Sequence, residues 1–158
     1  MTAAAVPQVP GLLAIDHVGV AVPDLDAAIA FHTSVLGLVL LHREDNVEQG
    51  VAEAMLAPPG NGSGAQLQLL APLTEQSALA RFLERSGPGL QQLAYRVEDI
   101  DRAASVLRGK GLRLLYDAAR TGTGGSRINF VHPKDTGGVL IELVQAAVAV
   151  ERMEAGQQ

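Results

Sequence analysis

The sequence predicts an α+β fold in which two tandem βαβββ modules form a curved sheet around a cleft. Three observations carry this expectation: an internal repeat at a nearly constant offset, an alternating strand pattern opening each copy, and an Asp-rich helix start with a glycine stop in both. Residues 15–26 align with 90–101 at an offset of 75, placing Val22, Asp24 and Asp26 on Val97, Asp99 and Asp101. The run Gly37 to Leu41 falls on Gly111 to Leu115 at an offset of 74. Met55 to Pro58 falls on Phe130 to Pro133 at 75, and Leu67 to Leu70 on Ile141 to Val144 at 74. Four matches at one spacing mark a duplicated module.

Each element has a local reason. Residues 1–12 read as a flexible N-terminus, and the first module covers 13–73. Its opening strand, 15–22, alternates in polarity, and Asp24 and Asp26 then supply capping oxygens for a helix. Ala27, Ala28, Phe31 and Val35 form the expected apolar helix face, and Gly37 ends it in a left-handed cap. Strands follow at 38–44, 49–57 and 65–71, with a Pro- and Gly-rich loop at 58–64. A linker helix is expected within 74–88, and the second module spans 89–146. It repeats the order with a strand at 90–97, a helix carrying Ala103, Val106 and Leu107 that stops at Gly111, and strands at 112–117, 126–132 and 138–145. Residues 147–158 form a tail.

Composition narrows the function classes. The 158 residues are 47% hydrophobic and 18% charged, enough for a packed core in one domain built of two small repeats. No apolar run reaches the ~18–20 residues of a membrane span, and Met1 to Pro10 lacks the basic start of a signal peptide. A cytoplasmic location is therefore expected. A net charge of −5 with no basic run, and only 3% aromatic residues, argue against nucleic acid or an acidic membrane as partner. Without cysteine there is no thiolate ligand or nucleophile.

The two-residue strand period places His17, Gly19 and Ala21 on the face opposite Val18, Val20 and Val22. Gln92, Gln68 and Glu142 likewise oppose the aliphatic stripes of their strands. His17 and Gln92 are repeat mates, as are Gln68 and Glu142, so a pseudo-twofold brings all four to one cleft. Gly19 and Ala21 are expected to leave room there for a ligand. Glu53 has Ile128 as its mate, a carboxylate where the other copy is apolar, which points to function rather than fold. His32, His42 and His132 lie off the matched positions, and Gly122 to Gly125 reads as a hairpin or a lid.

Several segments carry a resemblance. Ile15-Asp16-His17-Val18-Gly19, the run Glu48 to Met55, Gln66 to Pro72, Gly124 to Phe130, His132-Pro133-Lys134 and Gly138 to Leu143 are similar to the vicinal oxygen chelate (glyoxalase/bleomycin resistance) superfamily. Within it they resemble the methylmalonyl-CoA epimerase branch, over residues 13–146. The resemblance implies a 1,1-proton transfer on an acyl-CoA thioester, with Glu53 and Glu142 as the two catalytic bases. It implies a divalent metal ion, Co²⁺ first and Ni²⁺, Mn²⁺, Mg²⁺ or Zn²⁺ otherwise, held by His17, Gln68, Gln92 and Glu142. The family's Gly-Leu-His-His is here Gly89-Leu90-Gln91-Gln92, so an amide replaces an imidazole and weaker metal binding is expected. Arg127 and Lys134 either meet a CoA phosphate or carboxylate or are ordinary surface cations. A homodimer is expected. Two other readings stay open: a divergent enzyme of the superfamily on another carbonyl substrate, and a non-catalytic small-molecule binder. A ring-cleaving dioxygenase is disfavoured, because the matched positions offer one histidine where its iron needs two.

Overall fold

The computed structural model describes residues 8–60 and 64–148. The N-terminus expected over 1–12, the loop at 58–64 and the tail at 147–158 therefore lie partly outside the described residues. The elements run β1 (Leu12–Ala21), α1 (Leu25–Ala30), β2 (Val39–Asn46), β3 (Val51–Ala57), β4 (Gln66–Pro72), α2 (Ala78–Ser86), β5 (Gly89–Val97), α3 (Ile100–Gly109), β6 (Arg120–Thr121), β7 (Arg127–Val131) and β8 (Leu140–Gln145). All eight strands join one sheet in the order β2-β3-β4-β1-β5-β8-β7-β6. At its centre β1 and β5, the opening strands of the two copies, pair antiparallel, and each is flanked by a parallel partner, β4 or β8. The duplication read from the sequence is thus a pseudo-twofold through the middle of the sheet.

The helices start and stop as their sequences require. Asp24 accepts a hydrogen bond from the Ala27 amide (3.0 Å), and Asp99 accepts one from Arg102 (3.1 Å). Gly37 and Gly111 end the two helical segments at φ of 78° and 86°, a region that side chains with a Cβ rarely adopt. Two apolar clusters fill the outer face. Val22, Leu25, Ala54, Leu56, Leu69 and Ala71 pack with α1, and Val97, Ile100, Ala103, Leu107, Val131 and Leu143 pack with α3. On the inner face Ala21, Val51 and Leu70 meet Leu79 of α2, so the linker helix covers part of the cleft. Among the described residues no helix is long and apolar enough to cross a membrane.

Three expectations need correction. Helix α1 is short and widens into a π-type turn over Phe31–Val35, where His32 and Thr33 side chains bond to the Ala28 and Ile29 carbonyls (both 2.8 Å). Phe31 and Val35 are consequently exposed, and Leu25, Ala28 and Ile29 make the packed face. Second, residues 112–117 do not form a strand. The ladder against β7 begins with a bridge between Leu114 and Val131, but the Asn129 side chain then bonds the Tyr116 amide (3.2 Å) and carbonyl (3.0 Å) in place of main chain. Pairing resumes only at the short β6. Third, the room beside Gly19 is taken by the side chain of its cross-strand partner, Gln92. A Cβ at position 19 would lie 2.4 Å from Gln92 Cγ. Gly19→Ala is expected to destabilise the fold by ~1–3 kcal/mol through overpacking, and Gln92→Ala in the same chain should relieve it. Urea denaturation checks both, and an equally stable Gly19→Ala chain would contradict the packing described.

Candidate functional site

The register decides which side chains meet. Gly19 lies opposite Gln92 and beside Gln68, while His17 lies opposite Ala94, which is itself paired with Glu142 on β8. Pairing of Met55 with Gln68 and Glu53 with Leu70 brings Glu53 to the same inner face. His17, Glu53, Gln68, Gln92 and Glu142 are all buried, between 3% and 8% exposed. The sequence-predicted set is therefore assembled in one place.

Its polar atoms form an unbroken hydrogen-bonded chain. His17 donates from Nδ1 to Asp16 Oδ2 (2.6 Å) and from Nε2 to Glu142 Oε2 (3.1 Å). Gln92 Nε2 donates to the same Glu142 oxygen (2.6 Å) and to Gln68 Oε1 (2.9 Å), and lies 3.4 Å from His17 Nε2. Gln68 Nε2 donates to Glu53 Oε2 (2.9 Å) and to Thr123 Oγ1 (3.1 Å), and Thr123 donates to Glu53 Oε1 (2.7 Å). Two carboxamides thus bridge Glu142 to Glu53. Arg96 closes the other end on Asp16 (2.8 Å).

Electrostatics follows from this arrangement. Burial alone would lower the His17 pKa, but its bonds to Asp16 and Glu142 outweigh burial and push it up to about 9. Burial opposes ionisation of Asp16 as well, yet His17 and Arg96 hold it below the usual carboxylate range. Burial raises Glu53 to about 7, helped by the neighbouring Glu44 and Glu142 charges and opposed by the Thr123 hydroxyl.

Once His17 gives up its Nε2 proton, the donor set suits a cation. His17 Nε2, Gln68 Oε1 and Glu142 Oε2 converge on the Gln92 amide, and a half-turn of that amide would present its oxygen to the same point. Asp16 fixes His17 through Nδ1, the supporting partner that metal-bound histidines commonly have.

Arg127 and Lys134 are not brought to this cleft. Arg127 is held on the surface by both Asp101 oxygens (2.9 Å each), and Lys134 is exposed in a turn after β7. His42 pairs with Glu44 (2.8 Å), whose other oxygen accepts from the Gly124 amide (3.0 Å). The segment read as a hairpin or lid is the hairpin connection between antiparallel β6 and β7, closed by a short 3₁₀ turn, Thr123–Gly125, that places Thr123 on Glu53. Sequence reading missed Asp16, Glu44, Gln49, Gln91, Tyr116 and Thr123. Only Asp16, next to His17, carried a positional signal.

Glu53 and Glu142 line one cavity together with Gln68, Gln92 and Thr123. Ile128, the repeat mate of Glu53, lines it too. Glu142 and Thr123 also border a second cavity that reaches His17 and His42.

The chain is similar to known proteins over most of its length. Residues 16–130 match the profile of the Glyoxalase/Bleomycin resistance protein/Dioxygenase superfamily. A solved methylmalonyl-CoA epimerase from Mycobacterium tuberculosis is 56% identical, with a TM-score of 0.80 and 93% of each chain covered. A variant of the Streptomyces coelicolor methylmalonyl-CoA epimerase, solved in complex with 2-nitronate-propionyl-CoA, is 46% identical with a TM-score of 0.81, covering 86% of this chain and 99% of that one. The ethylmalonyl-CoA/methylmalonyl-CoA epimerase of Cereibacter sphaeroides is 37% identical over 133 residues, which are 83% of this chain and 96% of that protein. The chain belongs to the methylmalonyl-CoA epimerase family, isomerases of the glyoxalase/bleomycin resistance protein/dioxygenase superfamily.

Proposed function

We propose that the chain interconverts (R)- and (S)-methylmalonyl-CoA, or a close 2-alkylmalonyl-CoA, by moving the α-proton between Glu53 and Glu142. One observation carries the assignment: two buried carboxylates reach one cavity and are held apart, each at an end of the Gln68–Gln92 amide bridge. The carbon between a thioester and a carboxylate is acidic because its carbanion delocalises as an enolate. Inverting that centre requires a base on one face and an acid on the other. In one direction Glu53 takes the proton while Glu142 returns one to the opposite face, and the reverse reaction exchanges the roles. Thr123 fixes Glu53 by bonding Oε1, leaving the carboxylate aimed by two partners.

His17, Gln68, Gln92 and Glu142 would hold a divalent cation, with Co²⁺ first on family resemblance and Ni²⁺, Mn²⁺, Mg²⁺ or Zn²⁺ as alternatives. When bound, such an ion supplies positive charge against the enolate oxygens. Asp16 keeps the His17 ring oriented, and Gln92 contributes an amide oxygen after its half-turn. We further place the protein in the cytoplasm as a homodimer, with the exposed Leu12, Leu13 and Ile15 of β1 as a face for a second copy.

Glu53→Gln and Glu142→Gln should each lower turnover at least ~10²-fold if each moves a proton, read by NMR of α-proton exchange in methylmalonyl-CoA. Wild-type turnover in either variant removes that residue from the mechanism. Gln92→His should tighten Co²⁺ binding by ~10–100-fold in calorimetry. Unchanged affinity would mean that position 92 does not touch the ion.

A further inference from the structure

Among the described residues, two buried side-chain polar atoms have no hydrogen-bond partner: Gln49 Nε2 and Gln91 Oε1. Both residues line the cavity reached by Glu53 and Glu142, and neither has a part in the proton transfer. A buried polar atom without a partner costs free energy, so two in one cavity point to a ligand that satisfies them.

The fold holds each atom in place. Gln49 lies in the turn between β2 and β3, where its amide N–H donates to Asn46 Oδ1 (3.1 Å). Its Oε1 accepts from the Tyr116 hydroxyl (2.8 Å), which fixes the carboxamide so that Nε2 is the free end. The Arg120 guanidinium stacks on the Tyr116 ring, 3.9 Å from its centroid, and braces that partner. Gln91 is the extra residue of a β-bulge, since the β1–β5 register passes from Gly19–Gln92 directly to Val20–Leu90. A bulge re-aims a side chain, and here Gln91 joins Gln92 on the cavity wall.

One free donor and one free acceptor on the walls of one cavity are the complement of a secondary amide. We propose that Gln49 and Gln91 read the amide nearest the sulfur in the arm of the thioester substrate. Gln49 Nε2 donates to its carbonyl, and Gln91 Oε1 accepts its N–H. The inference rests on the acyl-CoA reading above, because the pantetheine arm carries such amides. Leu70, Leu79, Leu115, Phe130 and Leu140 supply the apolar walls for the methylenes between them. In that partly enclosed setting each hydrogen bond discriminates more strongly than in water. Gln49 and Gln91 are thus positioning and specificity residues, separate from the two bases.

The test is equilibrium binding, by calorimetry, of propionyl-pantetheine and of its analogue with an ester in place of the amide nearest the sulfur. The unaltered protein should bind the amide ~10-fold more tightly, about one hydrogen bond's worth. In Gln91→Leu that ratio should fall to about one, with thermal stability unchanged or raised, since the lost atom has no partner in the free protein. Gln49→Glu keeps the acceptor for Tyr116 but removes the donor, and should weaken both probes alike. An amide preference that survives in Gln91→Leu, or a protein that binds neither probe, overturns the proposal. Exchange of the α-proton of methylmalonyl-CoA, followed in parallel, separates the two readings. The expected binding pattern without exchange refutes the epimerase reading and leaves the amide pair standing, whereas exchange without amide preference refutes the pair alone.

Discussion

Two carboxylates, an imidazole and two carboxamides share one buried cleft in this protein, and burial on that scale is tolerable only when each polar group has a partner. The chain from Arg96 and Asp16 through His17, Glu142, Gln92 and Gln68 to Glu53 and Thr123 meets that condition. It also dictates backbone requirements far from the chemistry. The antiparallel centre of the sheet must set Gly19 against Gln92, and position 19 must lack a Cβ for the amide to lie flat across β1. Placement of Thr123 in turn depends on a turn in the second copy reaching the strand of Glu53 in the first. Stability and site geometry are therefore one problem in this fold.

Duplication explains why the site sits where it does. A pseudo-twofold through β1 and β5 sets repeat mates face to face, so a polar residue at one position tends to meet its own counterpart. His17 and Gln92 meet in this way, 3.4 Å apart, while Gln68 and Glu142 are joined through the Gln92 amide between them. Function enters where the copies diverge. Glu53 opposes an apolar mate, Ile128, on the same cavity wall, which gives the cleft a polar side and a greasy side. Asn129 interrupts the ladder of the second copy and frees the segment carrying Tyr116 to lean on Gln49 of the first.

Much of this was legible in the residues alone. The repeat offset located both modules, the capping aspartates and stop glycines bounded the helices, and strand parity put His17, Gln68, Gln92 and Glu142 on one face. Elements that failed did so where side chains compete with backbone. Asn129 takes the hydrogen bonds that a strand at 112–117 would need, and His32 and Thr33 loosen the end of α1. Thr123 could not be read from spacing, because it reaches Glu53 across 70 residues through a glycine-rich turn, whereas Glu44 lies directly opposite Glu53 on the neighbouring strand. Gln91 was hidden for another reason: a bulge breaks the alternation on which facing arguments rest. Arg127 sits on the surface in an exposed ion pair with Asp101, a pairing that its charge alone did not reveal.

The central claim is that two carboxylates act on opposite faces of one carbon. Stereoisomer-resolved isotope analysis tests it most directly: a single isomer of methylmalonyl-CoA is converted in D₂O, and both isomers are recovered early in the reaction. A two-base cleft predicts solvent deuterium at the α-carbon of the newly formed isomer and protium in the recovered starting isomer. Protium carried over into the product would mean that a single group both removes and returns the proton, and would contradict the roles given to Glu53 and Glu142.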